Sequence, residues 1–120
     1  MYPDDPTRFK HIRDAINEAL DFAKGKRRSD LDKDRMLYLS LCKEIEIIGE
    51  AASRITAAKK RAFPDVPWAQ MVAMRNWLIH GYYTVSKDTL WSTITTDLPR
   101  LKKALVNASE RRRARKSGRK

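Results

Sequence analysis

Apolar residues recur at steps of three and four along most of this chain, which is the spacing that places side chains on one face of an α-helix. A first helix is predicted to begin with Asp5 as its N-cap and Pro6 at its first helical position, and to stop at Gly25. A second, longer helix is predicted to start at a cap provided by Ser29 or Asp30. The apolar positions are Phe9, Ile12, Ile16, Ala19, Leu20 and Ala23 in the first helix and Leu37, Leu41, Ile45, Ile48, Ala52 and Ile55 in the second.

The second half of the chain has the same periodicity after a short connection bracketed by Pro64 and Pro67. A third helix is predicted from Pro67, and a last one from the N-cap Ser86. Pro99 falls inside the last pattern and should kink it, because proline lacks a backbone donor and clashes with the preceding turn. The apolar positions are Trp68, Met71, Val72 and Leu78 in the third helix and Leu90, Trp91, Ile94, Leu98, Leu101 and Leu105 in the last.

Four to five amphipathic helices with short connections predict an all-α fold, an up-and-down bundle whose last helix is kinked at a proline. Gly49 stands in the middle of the second helix at a cost of about 1 kcal/mol, which indicates that another helix approaches closely there. We expect a single helical domain over residues 1–108. Residues 109–120 have no apolar face and are predicted to form a disordered basic tail.

The composition favours the same fold class and limits the environment. Hydrophobic residues make up 42% of the 120 residues, and only 4 Gly and 5 Pro interrupt the helix-forming residues. Cys42 is the only cysteine, so no intramolecular disulfide can form. Because the sequence has no apolar run of about 20 residues and no signal-peptide core, we expect a cytoplasmic protein that does not span a membrane.

The net charge of the chain indicates what kind of molecule it binds. The chain has 26 Lys and Arg against 15 Asp and Glu, a net charge of +11. Residues 109–120 contribute +6, from seven basic residues and Glu110, so the body keeps 11 − 6 = +5. A basic protein attracts polyanions such as nucleic acids, whereas a charged tail by itself serves solubility equally well. The excess in the body therefore points toward an anionic substrate.

The side chains suited to chemistry are concentrated in the segment Arg75-Asn76-Trp77-Leu78-Ile79-His80-Gly81-Tyr82-Tyr83. Histidine exchanges protons near neutral pH, and arginine presents a planar cationic fork that suits phosphate. Arg75 and His80 together therefore indicate chemistry on a phosphodiester. On an ideal helix, Asn76 and His80 share a face, whereas Arg75 and His80 lie about 140° apart.

Two arrangements would bring Arg75 and His80 together. Either the helix is distorted near Gly81, a common helix terminator, or two copies of the helix meet across a twofold axis. In the second case each chain lends its Arg and His to a shared cleft. We favour the second arrangement, because one helix end makes a poor pocket.

The spacing Arg, four residues, His, one residue, Tyr resembles the signature of the HepT-like toxins, minimal members of the HEPN ribonuclease superfamily. It is formed here by Arg75, His80 and Tyr82 within MRNWLIHGYY. The segment IEIIGEAASRI at residues 45–55 resembles the second helix of that family, and WSTITTDLPRLKKAL at residues 91–105 resembles its last helix. The similarity runs from the first predicted helix to Leu105. It implies a HEPN-like helical bundle that forms a homodimer through the motif helix.

The same resemblance implies a metal-independent endoribonuclease, in which the RNA 2′-OH attacks the adjacent phosphate in a cleft of the dimer. His80 would act as general base or acid, and Arg75 would stabilise the charge that grows on the phosphate oxygens. Asn76 would support them by bonding phosphate or by fixing the imidazole tautomer. The sequence has no group of residues with metal-ligand spacing, which agrees with an enzyme that needs no metal.

The resemblance also implies a form of control, since HepT-like proteins are the toxins of type VII toxin–antitoxin systems. Their partner is a minimal nucleotidyltransferase of the MntA type, which transfers AMP from ATP to the motif tyrosine, here Tyr82. The toxin itself then needs no cofactor, because the antitoxin uses the ATP. Each AMP adds bulk and about one negative charge, which would occupy an arginine-rich cleft and repel RNA.

Some assignments stay open at the level of the sequence. Glu46 and Glu50 lie four residues apart on one face, either as a solvated or salt-bridged surface or with one of them reaching and orienting Arg75 or His80. His11 lies off the apolar stripe and is interpreted as a surface residue without a role. The alternative function is a non-catalytic scaffold that binds RNA or nucleotides, or a structural dimer in which Arg75 pairs with Glu46 or Glu50.

Overall fold

The computed structural model describes residues 5–81 and 86–107, and it places the side chains of all of these except residues 78–81. The described part of the chain contains only helices, which confirms the predicted all-α class. Their bounds are α1 Asp5–Ala23, α2 Asp30–Lys33, α3 Arg35–Arg54, α4 Ala57–Ala62, α5 Trp68–Gly81, α6 Lys87–Ser92, a π-helical turn Thr93–Asp97, and α7, residues 98–107. Since α6, the turn and α7 are continuous, four long helical elements form the bundle. The predicted tail at residues 109–120 lies outside the described residues.

Helix α3 is the centre of the bundle, because α1 and α5 both pack against it. Its buried stripe is the one predicted from the sequence, and the other long helices add their own apolar residues to the same core. Trp68 is nearly buried and donates its indole N–H to the Phe63 carbonyl at 3.1 Å, so its polar atom is paired. The largest completely buried side chains are Ile12, Ile16, Leu31, Leu41, Ile45, Ile48, Met71, Leu90, Ile94 and Leu98.

The prediction of one long second helix from Ser29 or Asp30 is wrong, because the chain leaves the helical conformation twice. Asp34 is extended, with φ −116° and ψ 94°, and its carboxylate accepts the Leu37 N–H at 3.1 Å as the cap of α3. Ile55 is extended as well, and the Thr56 hydroxyl then accepts the Lys59 N–H at 3.2 Å to cap α4. Short polar side chains compete for backbone N–H groups in this way, here at the two ends of the apolar stripe that runs from Leu37 to Ile55.

The two ends of α1 are fixed by different means. The Asp5 carboxylate, predicted to cap its own helix, accepts hydrogen bonds from the Thr56 N–H at 3.2 Å and the Thr56 hydroxyl at 2.7 Å. One turn later, the Arg8 guanidinium donates to the Arg54 carbonyl. These contacts attach the start of α1 to the joint between α3 and α4. At the other end the predicted stop is confirmed, since α1 ends at Ala23 and Gly25 has a φ of +74°.

The irregularity predicted at Pro99 takes the form of the π-helical turn that ends two residues before it. Within this turn the Leu98 N–H donates to the carbonyl of Thr93, five residues back instead of four. Pro99 has no N–H to offer the Thr95 carbonyl, so a regular α-helical ladder cannot continue through this segment. Leu98 and Leu101 nevertheless stay buried, because the turn keeps their face directed at the core.

Glu44 on α3 is an ionisable residue that is buried, with only 6% of its surface exposed. It faces Glu18 of α1, and its Oε2 has no hydrogen-bond partner among the described residues. Burial, followed by the charge of Glu18 and the hydrogen bond with it, raises the pKa of the Glu44 carboxyl to about 7. The packing of α1 on α3 therefore favours a protonated Glu44.

Replacing Glu44 with glutamine should stabilise the fold by about 1–3 kcal/mol at pH 8. The pKa of Glu44 is about 7 in the folded state against 4.5 for an ordinary glutamate. Between pH 4.5 and pH 7 the folded protein therefore keeps a proton on Glu44 that the unfolded chain has lost. Stability of the wild type consequently falls as the pH rises from about 4.5 to about 7. Urea unfolding at pH 5 and pH 8 measures the difference. Glu46→Gln, an exposed position on the same helix, is the control, and an equal gain from Glu44→Gln at both pH values would contradict the assignment.

Candidate active site

Arg75 lies in the middle of α5, on the side that faces α3, and Gly49 makes this approach possible. A Cβ atom added to Gly49 would lie 2.1 Å from the Cβ of Arg75 and 2.8 Å from the carbonyl oxygen of Met71. No side chain fits in that space, so the two helices are in backbone contact at this point. The close approach that Gly49 predicted is confirmed, and the neighbour is the motif helix at its arginine.

The Arg75 guanidinium is held by Glu50 of α3. Its Nη1 donates to the Glu50 Oε2 at 2.7 Å, while the Arg54 Nε donates to Oε1 of the same carboxylate at 2.7 Å. The hydrogen bond from Arg54, followed by that from Arg75, lowers the pKa of the Glu50 carboxyl against the opposing effect of desolvation. Glu50 is therefore ionised at neutral pH and sits between two arginines.

Glu50 uses only part of the hydrogen-bonding capacity of the Arg75 guanidinium. The Arg75 side chain is 22% exposed, and its Nε is buried with no hydrogen-bond partner in the part of the chain that the structure describes. A guanidinium has five N–H donors, and Glu50 takes up one of its nitrogens here. Arg75 is thus fixed by one strong contact and retains the capacity to bind a further anion.

The structure does not show the other predicted site residues in contact with Arg75. Glu46 does not reach Arg75; its carboxylate lies 3.5 Å from the Lys43 ammonium on the exposed face of α3. Asn76 is exposed on α5. The backbone of His80 belongs to α5, but its side chain lies outside the described residues, as does Tyr82 entirely. The structure thus brings one predicted pair together, Arg75 with Glu50.

Helix α5 is continuous from Trp68 to Gly81, so its backbone is helical at both Arg75 and His80. Five steps on such a helix separate the two positions by about 140° around the axis. This regular backbone gives no support to a distorted helix at Gly81, and it favours the arrangement in which two chains combine their residues. Among the described residues no group of three or more potential metal ligands occurs.

His11 was predicted to be a surface residue without a role. It is exposed, as predicted, but it lines a groove between α1 and α3 whose far side includes Glu50 and Arg54. Arg8 precedes it by three residues on the same face of α1 and lines the same groove. That i, i+3 pair of basic groups was the available signal, but the sequence cannot say which part of α3 stands opposite.

Fold and site together define a small all-α bundle that carries an Arg–His motif on a helix packed against its centre. The family model described as ribonuclease HepT-like matches residues 12–108, most of the chain. The chain belongs to the HepT-like ribonuclease family. This confirms the family that the motif resembles, and it supports ribonuclease activity.

Individual relatives agree with the family. A protein of Methanocaldococcus jannaschii that is provisionally named an RNase is 34% identical over 92 residues. The match covers 77% of this chain and 84% of that protein. A protein of Thermococcus cleftensis, named as a probable ribonuclease HepT, is 36% identical over 91 residues, 76% of this chain and 83% of its own. No solved structure matches the chain significantly. No helix in the described ranges 5–81 and 86–107 is long and apolar enough to cross a membrane.

Proposed function

We propose that this protein is a metal-independent endoribonuclease that cleaves RNA by attack of a 2′-OH on the adjacent phosphate. The observation that carries the proposal is the Arg75–His80 motif on α5, in a chain of the HepT-like ribonuclease family, with Arg75 held at the α3–α5 contact by Glu50. Arginine at a fixed position is suited to stabilise the charge that develops on phosphate oxygens. A histidine in the same motif is suited to move the proton of the 2′-OH.

In this mechanism two chains contribute to one cleft. His80 of each chain serves as general base or general acid, and Arg75 binds the phosphate in the transition state. Asn76, exposed on α5, supports the site by bonding phosphate or by fixing the imidazole tautomer. The continuous helix through His80 supports the homodimer, because a single α5 separates Arg75 from His80 around its axis.

Glu50 is the positioning residue for Arg75 in this proposal. Glu50→Gln keeps the size of the side chain but removes the charge shared by two guanidinium groups, so Arg75 loses its fixed orientation. We expect the turnover number for RNA cleavage to fall about 10- to 100-fold, with KM and the urea midpoint little changed. Asp14→Asn is the control, since Asp14 is an exposed carboxylate on α1 that bonds Lys10 at 3.0 Å and does not line the groove beside Glu50. Equal turnover in both variants would remove Glu50 from the mechanism.

The regulatory half of the proposal places the protein as the toxin of a type VII toxin–antitoxin system in the cytoplasm. A partner nucleotidyltransferase of the MntA type would use ATP to add AMP to Tyr82. Family membership supports this partner. Tyr82 follows His80 by two residues in the sequence, so each added nucleotide would put about one negative charge beside the groups that bind RNA.

A structural role is the second candidate, and the Arg75–Glu50 ion pair favours it. An arginine bonded to a glutamate at 2.7 Å across two helices can brace the bundle without any catalysis. The contribution of such a pair to stability is small, however, because the Glu50 side chain is 42% exposed. A non-catalytic scaffold or structural dimer predicts that wild-type protein leaves RNA intact.

Expression of the wild type and of His80→Ala in a bacterial host separates the two candidates. The ribonuclease proposal predicts growth arrest and fragmented RNA with the wild type only, from proteins present at equal soluble levels. Absence of toxicity and cleavage from soluble, dimeric wild type that carries no added mass on Tyr82 would favour the structural role.

A further inference from the structure

A groove runs between α1 and α3 beside the position where Glu50 meets Arg75. Its volume is about 390 Å³, within the range of sites that bind small ligands. Helix α1 supplies one wall, and residues 43–54 of α3 supply the other. The groups with basic character that line it are Arg8, His11, Lys43 and Arg54.

The charge of this groove is positive even after its carboxylates are counted. Glu46 and Glu50 line it as well. Glu46 forms an ion pair with Lys43 at 3.5 Å, and Glu50 accepts a hydrogen bond from Arg54 at 2.7 Å. Arg75 shares the Glu50 carboxylate from the other side. The groove holds three permanent cations and two carboxylates, a net charge of +1. Adding Arg75 raises this net charge to +2.

Apolar groups complete the lining. Ala51 is buried and Ile47 is half-buried against the core, so their outward surfaces form the hydrophobic part of the groove. The opposite wall is held in place by Arg8, whose guanidinium donates to the Arg54 carbonyl at the end of α3. A positively charged groove with an apolar strip matches the chemistry of a nucleotide, which has an anionic phosphate and an apolar base face.

The groove is continuous with the candidate active site through one carboxylate. The Glu50 Oε1 accepts from Arg54 in the groove, and its Oε2 accepts from Arg75 on the motif helix, each at 2.7 Å. The two guanidinium groups are therefore separated by no more than a carboxylate and two hydrogen bonds. A strand whose phosphate lies at Arg75 has its neighbouring nucleotide within reach of Arg54.

We propose that this groove binds the nucleotide of the substrate RNA next to the scissile phosphate, with the phosphate on Arg8, Lys43 and Arg54 and the base against Ile47 and Ala51. The identity of the ligand as RNA rests on the proposed ribonuclease function. Lys43 is the residue to test, because it lines the groove without contacting Glu50 or Arg75 in any described interaction.

Lys10 provides a closely matched control. Its side chain is 65% exposed and forms an ion pair with Asp14, which is 49% exposed, at 3.0 Å. Lys43 is 63% exposed and forms an ion pair with Glu46, which is 49% exposed, at 3.5 Å. Lys10 does not line the groove. Replacing either lysine with glutamine therefore removes one charge from a similar surface ion pair, and only one of the two changes affects the proposed site.

The experiment measures binding of a fluorescent single-stranded RNA by anisotropy over a range of salt concentrations. Both lysine variants are made in full-length His80→Ala protein, so that the RNA stays intact. The plot of log affinity against log salt has a negative slope, and we expect Lys43→Gln to make it less steep by about 0.7. The same change should weaken binding roughly threefold or more at low salt. Lys10→Gln should leave the slope unchanged. Equal effects of the two changes would overturn the proposal, because the groove would then contribute only to the general positive charge.

A photoreactive base in the RNA gives a second measurement that does not depend on one side chain. Crosslinks to peptides that contain His11 or Ile47 are expected, and crosslinks confined to other parts of the chain would overturn the proposal. The two hypotheses fail separately. If the wild type cleaves RNA and the two lysine variants bind RNA equally, the groove proposal is refuted and the ribonuclease proposal stands. If only Lys43→Gln weakens RNA binding and the wild type does not cleave RNA, the groove proposal stands and the ribonuclease proposal is refuted.

Discussion

Arg75→Ala is expected to lower the rate of RNA cleavage by about 100- to 1,000-fold, the usual loss when one preorganised donor to a developing oxyanion is removed. The fold should survive the change. Glu50 retains its bond to Arg54 at 2.7 Å, and its side chain is 42% exposed, so water can solvate the oxygen that Arg75 releases. Single-turnover cleavage of an end-labelled RNA measures the rate, and thermal unfolding monitors the fold.

Two variants make this result specific to the site. Arg13→Ala removes the same charge from an exposed position on α1 and should leave the rate within about twofold of wild type, since a distant exposed charge is largely screened by salt. Arg75→Lys keeps the charge but loses the planar fork, so it should recover only part of the activity. Full activity in Arg75→Ala would exclude a catalytic role for this residue.

Gly49→Ala is expected to destabilise the bundle by about 1–3 kcal/mol, the range for overpacking of a filled interior. Helix propensity by itself predicts the opposite sign, a gain of about 1 kcal/mol for alanine over glycine. Sterics decide the outcome, because the new Cβ would lie 2.1 Å from the Arg75 Cβ and 2.8 Å from a backbone oxygen of Met71. Neither atom is the end of a flexible side chain, so α5 must move away from α3.

Because the clash involves Arg75 itself, Gly49→Ala should also reduce cleavage under conditions where the protein remains folded. Gly25→Ala is the comparison: its Cβ meets nothing within 4 Å, and its cost of about 1 kcal/mol arises from a φ of +74°. That variant should be destabilised while keeping full activity. Urea unfolding and cleavage assays on both proteins test the distinction, and a more stable Gly49→Ala would show that the helices are not in contact there.

The sequence was sufficient to predict the fold class and most of the core. Hydrophobic periodicity identifies most of the buried residues of α1 and α3, because burial of one face is what stabilises such helices, but it missed Ala15, Glu44 and Ala51. The breaks at Asp34 and Ile55 were missed, since the apolar stripe from Leu37 to Ile55 marks one face of a helix and does not mark where the helix begins and ends. The helices end there because Asp34 and Thr56 accept backbone N–H groups as caps, and Thr56 is also bonded to Asp5 of α1.

Less of the site could be predicted. Gly49 indicated a close helix contact, but the sequence could not name Arg75 as the neighbour. Glu46 and Glu50 are one turn apart on the same face, and only the position of α5 along α3 decides that Glu50 is the one that meets Arg75. The groove at His11 depends in the same way on how α1 lies against α3. Hydrophobic periodicity predicts which face of a helix is buried, but it does not predict which residues of another helix pack against that face.

Incubation of purified wild type and His80→Ala with an end-labelled RNA, in the presence of a chelator, shows whether Arg75 and His80 make this protein a ribonuclease. A DNA strand of the same sequence serves as the substrate that lacks the 2′-OH. We expect cleavage of RNA by the wild type alone, products with cyclic phosphate ends, intact DNA, and RNA binding retained by folded His80→Ala. Cleavage by His80→Ala at the wild-type rate, or of the DNA strand as readily as the RNA, would contradict the proposed mechanism.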